Sequence, residues 1–340
     1  MKRIIVTRFS AMGDVAMVAT VLKAFQEQHS DTEIIMVSRS LFAAFFQNIP
    51  RLKFHPIQPK GMHKGVFGLF SLFNELKAYK PDAIADLHNN LRSRVIDGLF
   101  KSIRVKVRLL DKGRKEKKEL TRTKNKVFKQ LKLTTERYAD VFRQLGFQLQ
   151  LDHQLQKEYR LIPPGMMPIL ASDKKKIGIA AFAQHVYKVL PYAKMELIIQ
   201  TLANKGYEVL LFGGGEQEKQ ITENWAENYE NVHSLVGRYK LTEELDVISH
   251  LDLMISMDSS GMHMASLVGT RCLSLWGATH PFAGFIGYGQ SNSDCIQVDH
   301  PNRPSSVYGN KSCLCDGVEA IDLISPSMVL SKVEEIFSPK

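Results

Sequence analysis

The sequence has few cysteines and no long apolar run, and both absences narrow the class of protein. Four cysteines in 340 residues cannot form the disulfide framework of a small secreted domain, which favours a reducing cytoplasm. No stretch approaches the roughly 20 apolar residues that a membrane-spanning helix needs. The opening MKRIIVTRF is too short in its apolar part for a signal peptide. We therefore expect a cytoplasmic protein without a membrane span.

A dinucleotide fingerprint and a familiar zinc pattern are also missing. The first strand candidate, Arg3–Phe9, is followed by the single Gly13 and lacks G-x-G-x-x-G, which argues against a nicotinamide oxidoreductase. Cys295, Cys313 and Cys315 cluster near the C-terminus, but their spacing matches no familiar zinc pattern even if a nearby histidine is added. We expect free thiols, no bound metal and no cofactor.

Acidic residues are scarce in one segment, which accounts for the net charge of +10. This basic segment, Lys101–Lys132, holds 14 Lys/Arg and 3 Asp/Glu, whereas the rest of the chain holds 31 and 32. Such a segment is typical of a solvated loop, a nucleic-acid patch, or a site for anionic lipid and acidic saccharide. Its only aromatic residue is Phe128, which argues against binding of single-stranded nucleic acid.

Strand-like and helix-like stretches alternate along most of the chain, which predicts parallel sheets covered by helices. One of them, Thr134–Leu145, is predicted to be a helix that Gly146 ends. The Pro/Gly-rich stretch Leu161–Pro168 interrupts the alternation and is typical of an interdomain connection. We therefore predict an α/β fold with two Rossmann-like domains, at residues 1–165 and 166–325, whose parallel sheets face a central cleft. Residues 326–340 are predicted to form a C-terminal helix that could pack back on the first domain.

The most informative segment is Ser256–Pro281, which has the pattern of a strand, a turn, a short helix and a second strand. Its first turn contains Asp258-Ser-Ser-Gly261, a set of capping and small residues that can begin a helix. A helix that starts just beyond a strand's carboxyl end exposes unpaired N–H groups, and α/β proteins bind phosphates there. An ordinary βαβ turn without a ligand has the same pattern, so this chemistry alone leaves both interpretations open.

Two motifs in this segment, Asp258-Ser-Ser-Gly-Met-His263 and Gly277-Ala-Thr-His-Pro281, resemble the nucleotide-sugar signature of bacterial glycosyltransferase family 9, the lipopolysaccharide heptosyltransferases. The resemblance implies a GT-B fold and inverting transfer of a sugar, heptose from an ADP-heptose, to a lipopolysaccharide core or lipid A-type acceptor. It also implies a set of donor-binding residues: Asp258, Ser259, Ser260, Gly261 and His263. Ser260 departs from the family pattern, which has glycine there. Structural packing is the alternative role for His263.

Further matches to the family extend the implied donor site. Lys188, in Lys188-Val-Leu-Pro191, corresponds to the family lysine that contacts the nucleotide diphosphate. Glu216 and Glu218 are both candidates for the carboxylate that binds the ribose, and Tyr239 lies in the segment that would border the base. Without the resemblance, the lysine and the tyrosine segment are equally consistent with solvated surface.

The first domain carries a second group of matches. Arg8-Phe-Ser-Ala-Met-Gly-Asp14 resembles the family pattern whose aspartate is the general base, so Asp14 would take the proton of the acceptor hydroxyl. A helix-capping acid is the alternative role, and Ser10 could also cap this helix. The stretch Asp86-Leu-His-Asn-Asn-Leu-Arg-Ser-Arg94 resembles the family's Asp-x-Gln-Gly-Asn-x-Arg-Ser, with departures at its third and fourth residues. The residues expected to contact the acceptor are Ser10, Asp86, Asn90 and Arg92.

These expectations define the partners. They are a nucleotide-sugar donor, an anionic glycolipid acceptor and the inner face of the cytoplasmic membrane, which Lys101–Lys132 would contact; no nucleic acid is expected. The protein would then be cytoplasmic and peripherally bound to that membrane. Two alternatives stay open, a basic RNA-binding protein and a nucleotide-sugar epimerase on a similar two-domain fold. Salt-sensitive RNA binding would favour the first, and turnover without an acceptor would favour the second.

Overall fold

The computed structural model describes residues 2–338, which form two compact units. The first unit contains the residues up to Lys112 and also Lys132–Asp152, and the second contains Gly113–Leu131 and the residues from His153 onwards. Each unit is built on one parallel sheet with helices, which confirms the predicted α/β class. Among these residues, no helix is both long and apolar enough to cross a bilayer.

The sheet of the first unit has five parallel strands in the order β3-β2-β1-β4-β5. They are β1 (Arg3–Thr7), β2 (Glu33–Ser38), β3 (Leu52–Pro56), β4 (Ala83–Asp86) and β5 (Lys106–Leu109). Strand β1 is central, and its Ile4, Ile5 and Val6 have no exposed surface. A continuous apolar run of this kind is what a parallel strand covered on both faces requires.

Four α-helices accompany this sheet. They are α1 (Met12–Gln28), α2 (Gly65–Lys77), α3 (Leu91–Ser102) and α5 (Thr134–Leu145), and a 3₁₀ helix spans Ser40–Phe46. Helix α1 packs on α5, where the rings of Phe25 and Phe142 lie 4.8 Å apart. Gly146 ends α5 with a φ of 104°, in the left-handed region that favours glycine. The predicted helix from Thr134 to Leu145 is therefore confirmed at both ends.

The sheet of the second unit has six parallel strands in the order β11-β10-β9-β6-β7-β8. They are β6 (Lys176–Ala180), β7 (Glu208–Phe212), β8 (Val232–Ser234), β9 (Leu253–Met257), β10 (Cys272–Trp276) and β11 (Cys295–Gln297). A separate antiparallel hairpin pairs β12 (Leu314–Cys315) with β13 (Val318–Glu319). The strands predicted at both ends of the segment 253–276 are thus confirmed.

Within the described residues, seven α-helices belong to the second unit. They are α4 (Arg114–Thr121), α6 (Met167–Leu170), α7 (Tyr192–Asn204), α8 (Glu216–Ala226), α9 (Leu241–Ser249), α10 (Ser260–Leu267) and α11 (Pro326–Phe337). Helix α11 packs on α7 and buries Val329 and Val333 in the core of the second unit. The expectation that the C-terminal helix could pack back on the first domain stays a prediction, and its residues 339–340 lie outside the described part of the chain.

The boundary between the units also differs from the predicted one near residue 165. The chain joins the second unit at His153, because the residues that follow pair with that unit's helices and loops. The backbone N–H of Glu158 donates to Val268 at 3.1 Å, and Arg160 forms an ion pair with Asp246 at 2.6 Å. The Pro/Gly-rich stretch Leu161–Pro168 consequently lies inside the second unit.

Candidate functional site

Topology places one candidate site in each unit, at the carboxyl ends of the strands. In an open parallel sheet, ligands bind where the connections from neighbouring strands run in opposite directions. In the first sheet this point lies between β1 and β4, and in the second it lies between β6 and β9. The predicted residues follow these strands: Asp14 after β1, Asp86–Arg92 at the end of β4, Lys188 after β6 and Asp258 after β9.

Asp14 lies in the first turn of α1, with its side chain 24% exposed. Its carboxylate forms an ion pair with Arg8 and accepts a hydrogen bond from the Tyr138 hydroxyl at 3.3 Å. Arg8 also donates from Nη1 to the carbonyl of Leu87 at 2.7 Å, so its guanidinium connects the loops after β1 and β4. The carboxylate is oriented by two side chains and remains accessible, as a general base must be.

Ser10 lies half-buried before α1 and does not cap this helix, contrary to the prediction. The N-cap residue is Ala11, whose backbone N–H lies 3.4 Å from the Asp14 carboxylate. Asp14 therefore makes the capping contact that its alternative interpretation predicts, in addition to presenting a partly exposed carboxylate. The two roles are compatible.

His88, the third residue of the Asp86–Arg94 stretch and a departure from the family pattern, also belongs to this site. The backbone N–H of Phe9 donates to its Nδ1 at 2.9 Å, and the two rings pack at 5.2 Å. Burial and the neighbouring Arg8 guanidinium lower the pKa of His88 to about 4, so the imidazole is neutral at physiological pH. Because Nδ1 accepts a hydrogen bond, the proton is on Nε2.

Asp86 is completely buried and organises the loop after β4. One carboxylate oxygen accepts hydrogen bonds from the Thr7 hydroxyl at 2.9 Å and from the N–H groups of His88 and Asn89 at 2.8 and 2.9 Å. Burial, and the charge of Asp86 beside it, raise the pKa of Asp97 to about 9, so Asp97 is protonated at neutral pH. Asp86 therefore positions the loop from behind, which corrects the expectation that it contacts the acceptor.

Asn90 and Arg92 stand at the start of α3 with different roles. Asn90 caps the helix by accepting from the N–H of Ser93 at 2.8 Å, and its own N–H donates to the Ser93 hydroxyl at 3.0 Å. Its side chain is only half-buried, and its contact with the acceptor stays a prediction. Arg92 is half-buried, and within the described residues its guanidinium has no ion pair or side-chain hydrogen bond. It is the member of this set that can still bind an anion.

In the second unit the structure joins two residues that were predicted separately. The Nζ of Lys188 lies 3.0 Å from the Asp258 carboxylate, and the side chains are only 15% and 7% exposed. Lys188 ends a 3₁₀ turn at Val186–Lys188, and the N–H of Ala278 donates to the carbonyl of Tyr187 at 3.2 Å. This bond ties the lysine turn to the Gly-Ala-Thr-His-Pro motif. Three sequence-distant segments therefore meet around one ammonium group.

A loop without any sequence motif completes the lysine's surroundings. Gly309 has a φ of 78°, and a Cβ placed there would stand 2.3 Å from the Cδ of Lys188. The Ser306 hydroxyl accepts from the N–H of Gly309 at 2.9 Å and donates to Asn310 at 2.7 Å, which fixes the loop. Only glycine satisfies both the backbone and the contact at position 309. The lysine stem is thereby held in place while its charge points towards Asp258.

The N-terminus of α10 lies beside this ion pair. Ser259 is the N-cap and Ser260 the first helical residue, and both are half-buried. A Cβ at Gly261 would meet the Cβ of Ala180 at 2.5 Å, so this glycine allows the helix to pack closely on β6. Gly261 thus serves packing and His263 is buried, whereas the two serines and the helix N-terminus are placed to meet a phosphate. The donor contacts of Gly261 and His263 stay predictions.

Arg303 fixes the backbone beyond β10 and was not predicted. Its buried guanidinium donates to the carbonyls of Gly277 at 2.7 Å and of Trp276 and Thr279 at 2.9 Å. Burial lowers the pKa of Arg303 to about 10, which still leaves the group charged at neutral pH. The conformation of the Gly-Ala-Thr-His-Pro motif therefore depends on an arginine that follows it by more than 20 residues.

The predicted ribose and base contacts lie on the neighbouring loops. Glu218 folds back so that its Oε2 accepts from the N–H of Gly214 at 2.7 Å. Glu216 is exposed at the first position of α8, and Tyr239 is half-buried ahead of α9. The structure thus shows Glu218 held against the glycine loop and Glu216 exposed to solvent.

The basic segment divides between solvent and the second unit. Lys117 is buried with its Nζ 4.2 Å from the centre of the Phe285 ring, and Lys126 donates to the carbonyls of Pro301, Asn302 and Pro304 at 3.0, 2.8 and 3.1 Å. These two lysines are structural. The exposed cations on α4 are Arg114, Lys115 and Lys118.

The cysteines are free thiols. Burial raises the pKa of Cys295 and of Cys315 to about 11, so neither is reactive as a thiolate at neutral pH. Within residues 2–338, no three side chains of His, Cys, Asp or Glu are arranged to hold a metal ion.

Known proteins resemble this chain along nearly its whole length. Lipopolysaccharide heptosyltransferase 1 of Campylobacter coli is 22% identical over 352 aligned residues, which cover 98% of this chain and 99% of the relative. The family 9 glycosyltransferase of Veillonella parvula has a TM-score of 0.72 at 19% identity, covering 98% of this chain and 97% of that one. Escherichia coli heptosyltransferase WaaC with ADP gives a TM-score of 0.69 at 17% identity, covering 98% and 99%.

These structural likenesses show that the fold is of the two-domain GT-B type. They favour neither an RNA-binding protein nor an epimerase. The profile of glycosyltransferase family 9 (heptosyltransferase) matches residues 69–312, which is more than half of the chain. The protein is therefore an enzyme of glycosyltransferase family 9, the heptosyltransferases.

Proposed function

We propose that this enzyme transfers heptose from ADP-heptose, with inversion, to a lipopolysaccharide core or lipid A-type acceptor. The carrying observation is the Lys188–Asp258 ion pair beside the N-terminus of α10, at the point in the second sheet where ligands bind. Two similar proteins support the choice of substrates. The Campylobacter coli relative is named a lipopolysaccharide heptosyltransferase, and the Escherichia coli structure is a heptosyltransferase with ADP.

The donor diphosphate would be bound by the ammonium of Lys188 and the N–H groups at the start of α10. As the glycosidic bond breaks, negative charge grows on the leaving nucleoside diphosphate, and a fixed cation with a helix N-terminus stabilises that charge. Asp258 keeps the ammonium in position at 3.0 Å before the donor binds. Ser259 and Ser260 would donate to the phosphates, and Glu218 would hold the ribose from the glycine loop. No divalent metal is needed in this scheme.

Asp14 would act as the general base in the first unit. Its carboxylate takes the proton of the acceptor hydroxyl while the hydroxyl oxygen bonds to the anomeric carbon and the bond to the diphosphate breaks on the opposite face. One displacement of this kind inverts the configuration. Arg8 and Tyr138 orient the carboxylate, and neutral His88 packs behind the same loop.

The acceptor's negative groups would meet Arg92, since its half-buried guanidinium is available for a carboxylate or phosphate. The exposed cations of the basic segment would hold the enzyme at the anionic inner face of the cytoplasmic membrane, where such an acceptor is anchored. Each cation close to anionic lipid contributes about 1 kcal/mol. The enzyme would accordingly be cytoplasmic and peripheral.

Product analysis tests this proposal. The enzyme is incubated with ADP-heptose, or with other nucleotide-sugars, and a Kdo–lipid A-type acceptor, and the products are identified by mass spectrometry and their anomeric configuration by NMR. We expect one added heptose with inverted configuration. Transfer from another nucleotide-sugar would replace the donor, retention would exclude the single displacement, and sugar isomerisation without an acceptor would favour an epimerase.

A further inference from the structure

Helix α2 is apolar on both of its faces in its first two turns. Its inner face is buried in the core of the first unit through Leu69, Leu72, Phe73 and Leu76. Its outer face presents Val66, Phe67 and Phe70, and Phe67 is 91% exposed. The outer face of a helix in a globular protein normally carries polar residues, so three large apolar side chains there indicate a binding surface.

The loop before α2 adds Met62 to this surface and is held firmly. His63 is buried beneath it, accepts from the N–H of Gln58 at 3.0 Å through Nδ1, and so donates from Nε2 to Glu75 at 3.1 Å. A Cβ at Gly68 would stand 2.4 Å from the backbone carbon of His63, so the loop lies directly on the helix. The apolar side chains therefore project from a preorganised turn and not from a mobile loop.

Lysines flank this surface in the loop before α2, and Glu75 of α2 is bonded to His63. Residues 34–74 contain five Lys/Arg and no Asp or Glu. Lys60 and Lys64 are exposed on either side of Met62. A small apolar tip flanked by lysines complements a bilayer interface, in which lipid phosphates lie just above the acyl chains.

We propose that Met62, Val66, Phe67 and Phe70 form a membrane-docking tip, which enters the interface of a bilayer containing anionic lipid while Lys60 and Lys64 contact phosphates. A second protein copy is a poorer occupant, because a stable dimer needs about 20 to 30 residues from each partner and the tip offers four. The inference rests on the proposed function in one respect: a lipid-anchored acceptor gives the enzyme a reason to bind the membrane. The tip is distinct from the basic segment.

Sedimentation with vesicles of phosphatidylethanolamine and phosphatidylglycerol, without any acceptor, tests the tip directly. Phe67→Ser should weaken vesicle binding roughly tenfold or more, since an inserted phenylalanine loses most of its contact with water. Leu161→Ser is the matched control, because Leu161 is 87% exposed in the second unit. Lys60→Glu with Lys64→Glu should weaken binding to these vesicles and have no effect with phosphatidylcholine alone. Equal losses in the Phe67 and Leu161 variants, or none in either, would overturn the proposal.

Fluorescence separates insertion from surface attraction. The two native tryptophans, Trp225 and Trp276, are buried, so Phe67→Trp adds a reporter at the tip. Its emission should shift to the blue on binding vesicles and be quenched by lipids brominated on their acyl chains. Leu161→Trp should show neither effect. An unshifted Phe67→Trp spectrum in the presence of bound vesicles would exclude insertion.

Turnover of a soluble, delipidated acceptor distinguishes failure of the tip from failure of the proposed function. Phe67→Ser should retain parental turnover with this acceptor and lose turnover only with acceptor in vesicles. If the parent protein transfers no heptose but its vesicle binding depends on Phe67, the tip stands and the proposed function fails. If heptose is transferred and the Phe67 variant binds vesicles as the parent does, the proposed function stands and the membrane-docking tip is refuted.

Discussion

Lys188→Met is the sharpest perturbation of the donor site, because it removes the ammonium and keeps a linear stem. Gly309 packs on the Cγ and Cδ of Lys188, so this stem should preserve the fold of the covering loop. The substitution leaves Asp258 buried without its partner. Removal of one member of a buried pair costs roughly 3 to 5 kcal/mol of stability. Because Lys188 keeps 15% exposure, we expect the lower end of that range.

The affinity for ADP should fall for two reasons, the loss of the Lys188 ammonium and the negative charge of Asp258 that is left unpaired. A hydrogen bond to a charged group contributes about 1.5–3 kcal/mol, which corresponds to roughly 10- to 150-fold in affinity. The unpaired Asp258 adds repulsion of the diphosphate, about 3 kcal/mol for unit charges about 6 Å apart at an effective dielectric constant near 20. Lys188→Met should therefore weaken ADP binding at least a hundredfold. The double variant Lys188→Met/Asp258→Asn should recover roughly a hundredfold of that loss, because the repulsion of about 3 kcal/mol is gone.

Calorimetric titration with ADP in a buffer containing EDTA, together with urea unfolding of the same samples, measures both effects. The control is Lys205→Met, because Lys205 forms an exposed ion pair with Glu334. Loss of this pair should change the ADP affinity and the free energy of unfolding only slightly. Two results would refute the reasoning: an ADP affinity of Lys188→Met within threefold of the parent, or a double variant that binds ADP more weakly than the single one.

Three other changes test the remaining parts of the site. Asp14→Asn should lower kcat roughly a hundredfold or more with ADP affinity nearly unchanged, and activity within a few-fold of the parent would leave Asp14 only its capping role. Reversal of Arg114, Lys115 and Lys118 to glutamate should raise KM for a membrane-embedded acceptor and spare a soluble one; equal effects on both would exclude a membrane role. The pKa of Asp97 is raised from its ordinary value of 3.8 to about 9 in the folded protein. Between these two pH values the folded protein keeps a proton on Asp97 that the unfolded chain has released. Stability should consequently fall as pH rises through this window, by up to about 1.4 kcal/mol per pH unit, and Asp97→Asn should flatten the dependence in urea unfolding. A slope unchanged by this substitution would show that Asp97 titrates normally.

The sequence predicted those elements whose pattern is local and apolar. The run Ile4–Val6 identifies a buried parallel strand, and Gly146 marks a helix end by its own backbone preference. The elements not predicted lack such a pattern. Strand β3 is a short edge strand of partly exposed residues that ends in proline, and α4 is almost entirely charged. Their structure is decided by tertiary contacts, which a local pattern does not contain.

The same distinction applies to the site. Asp14, Lys188 and Asp258 were located because they belong to motifs, and the structure shows each beside the expected strand end. The ion pair between Lys188 and Asp258 joins residues 70 positions apart in sequence, and Arg303 acts on carbonyls earlier in the chain. The role of Asp86, which is fully buried, was misassigned for a related reason. A motif identifies a polar residue, but only its hydrogen-bond partners reveal whether it faces a ligand or the fold.

The segment Gly113–Leu131 has a consequence for how the protein is synthesised. Its Lys126 donates to carbonyls 175 to 178 residues further along the chain, and its Leu120 and Leu131 form an apolar cluster with Ala283. At about 5 to 20 residues per second, a ribosome needs roughly 10 to 35 s to make those partners. During that time the first sheet can assemble, but this segment has nowhere to pack. A nascent chain stalled after Asp152 should therefore expose apolar surface and recruit chaperones, whereas the completed chain, in which α11 also covers the second core, should not.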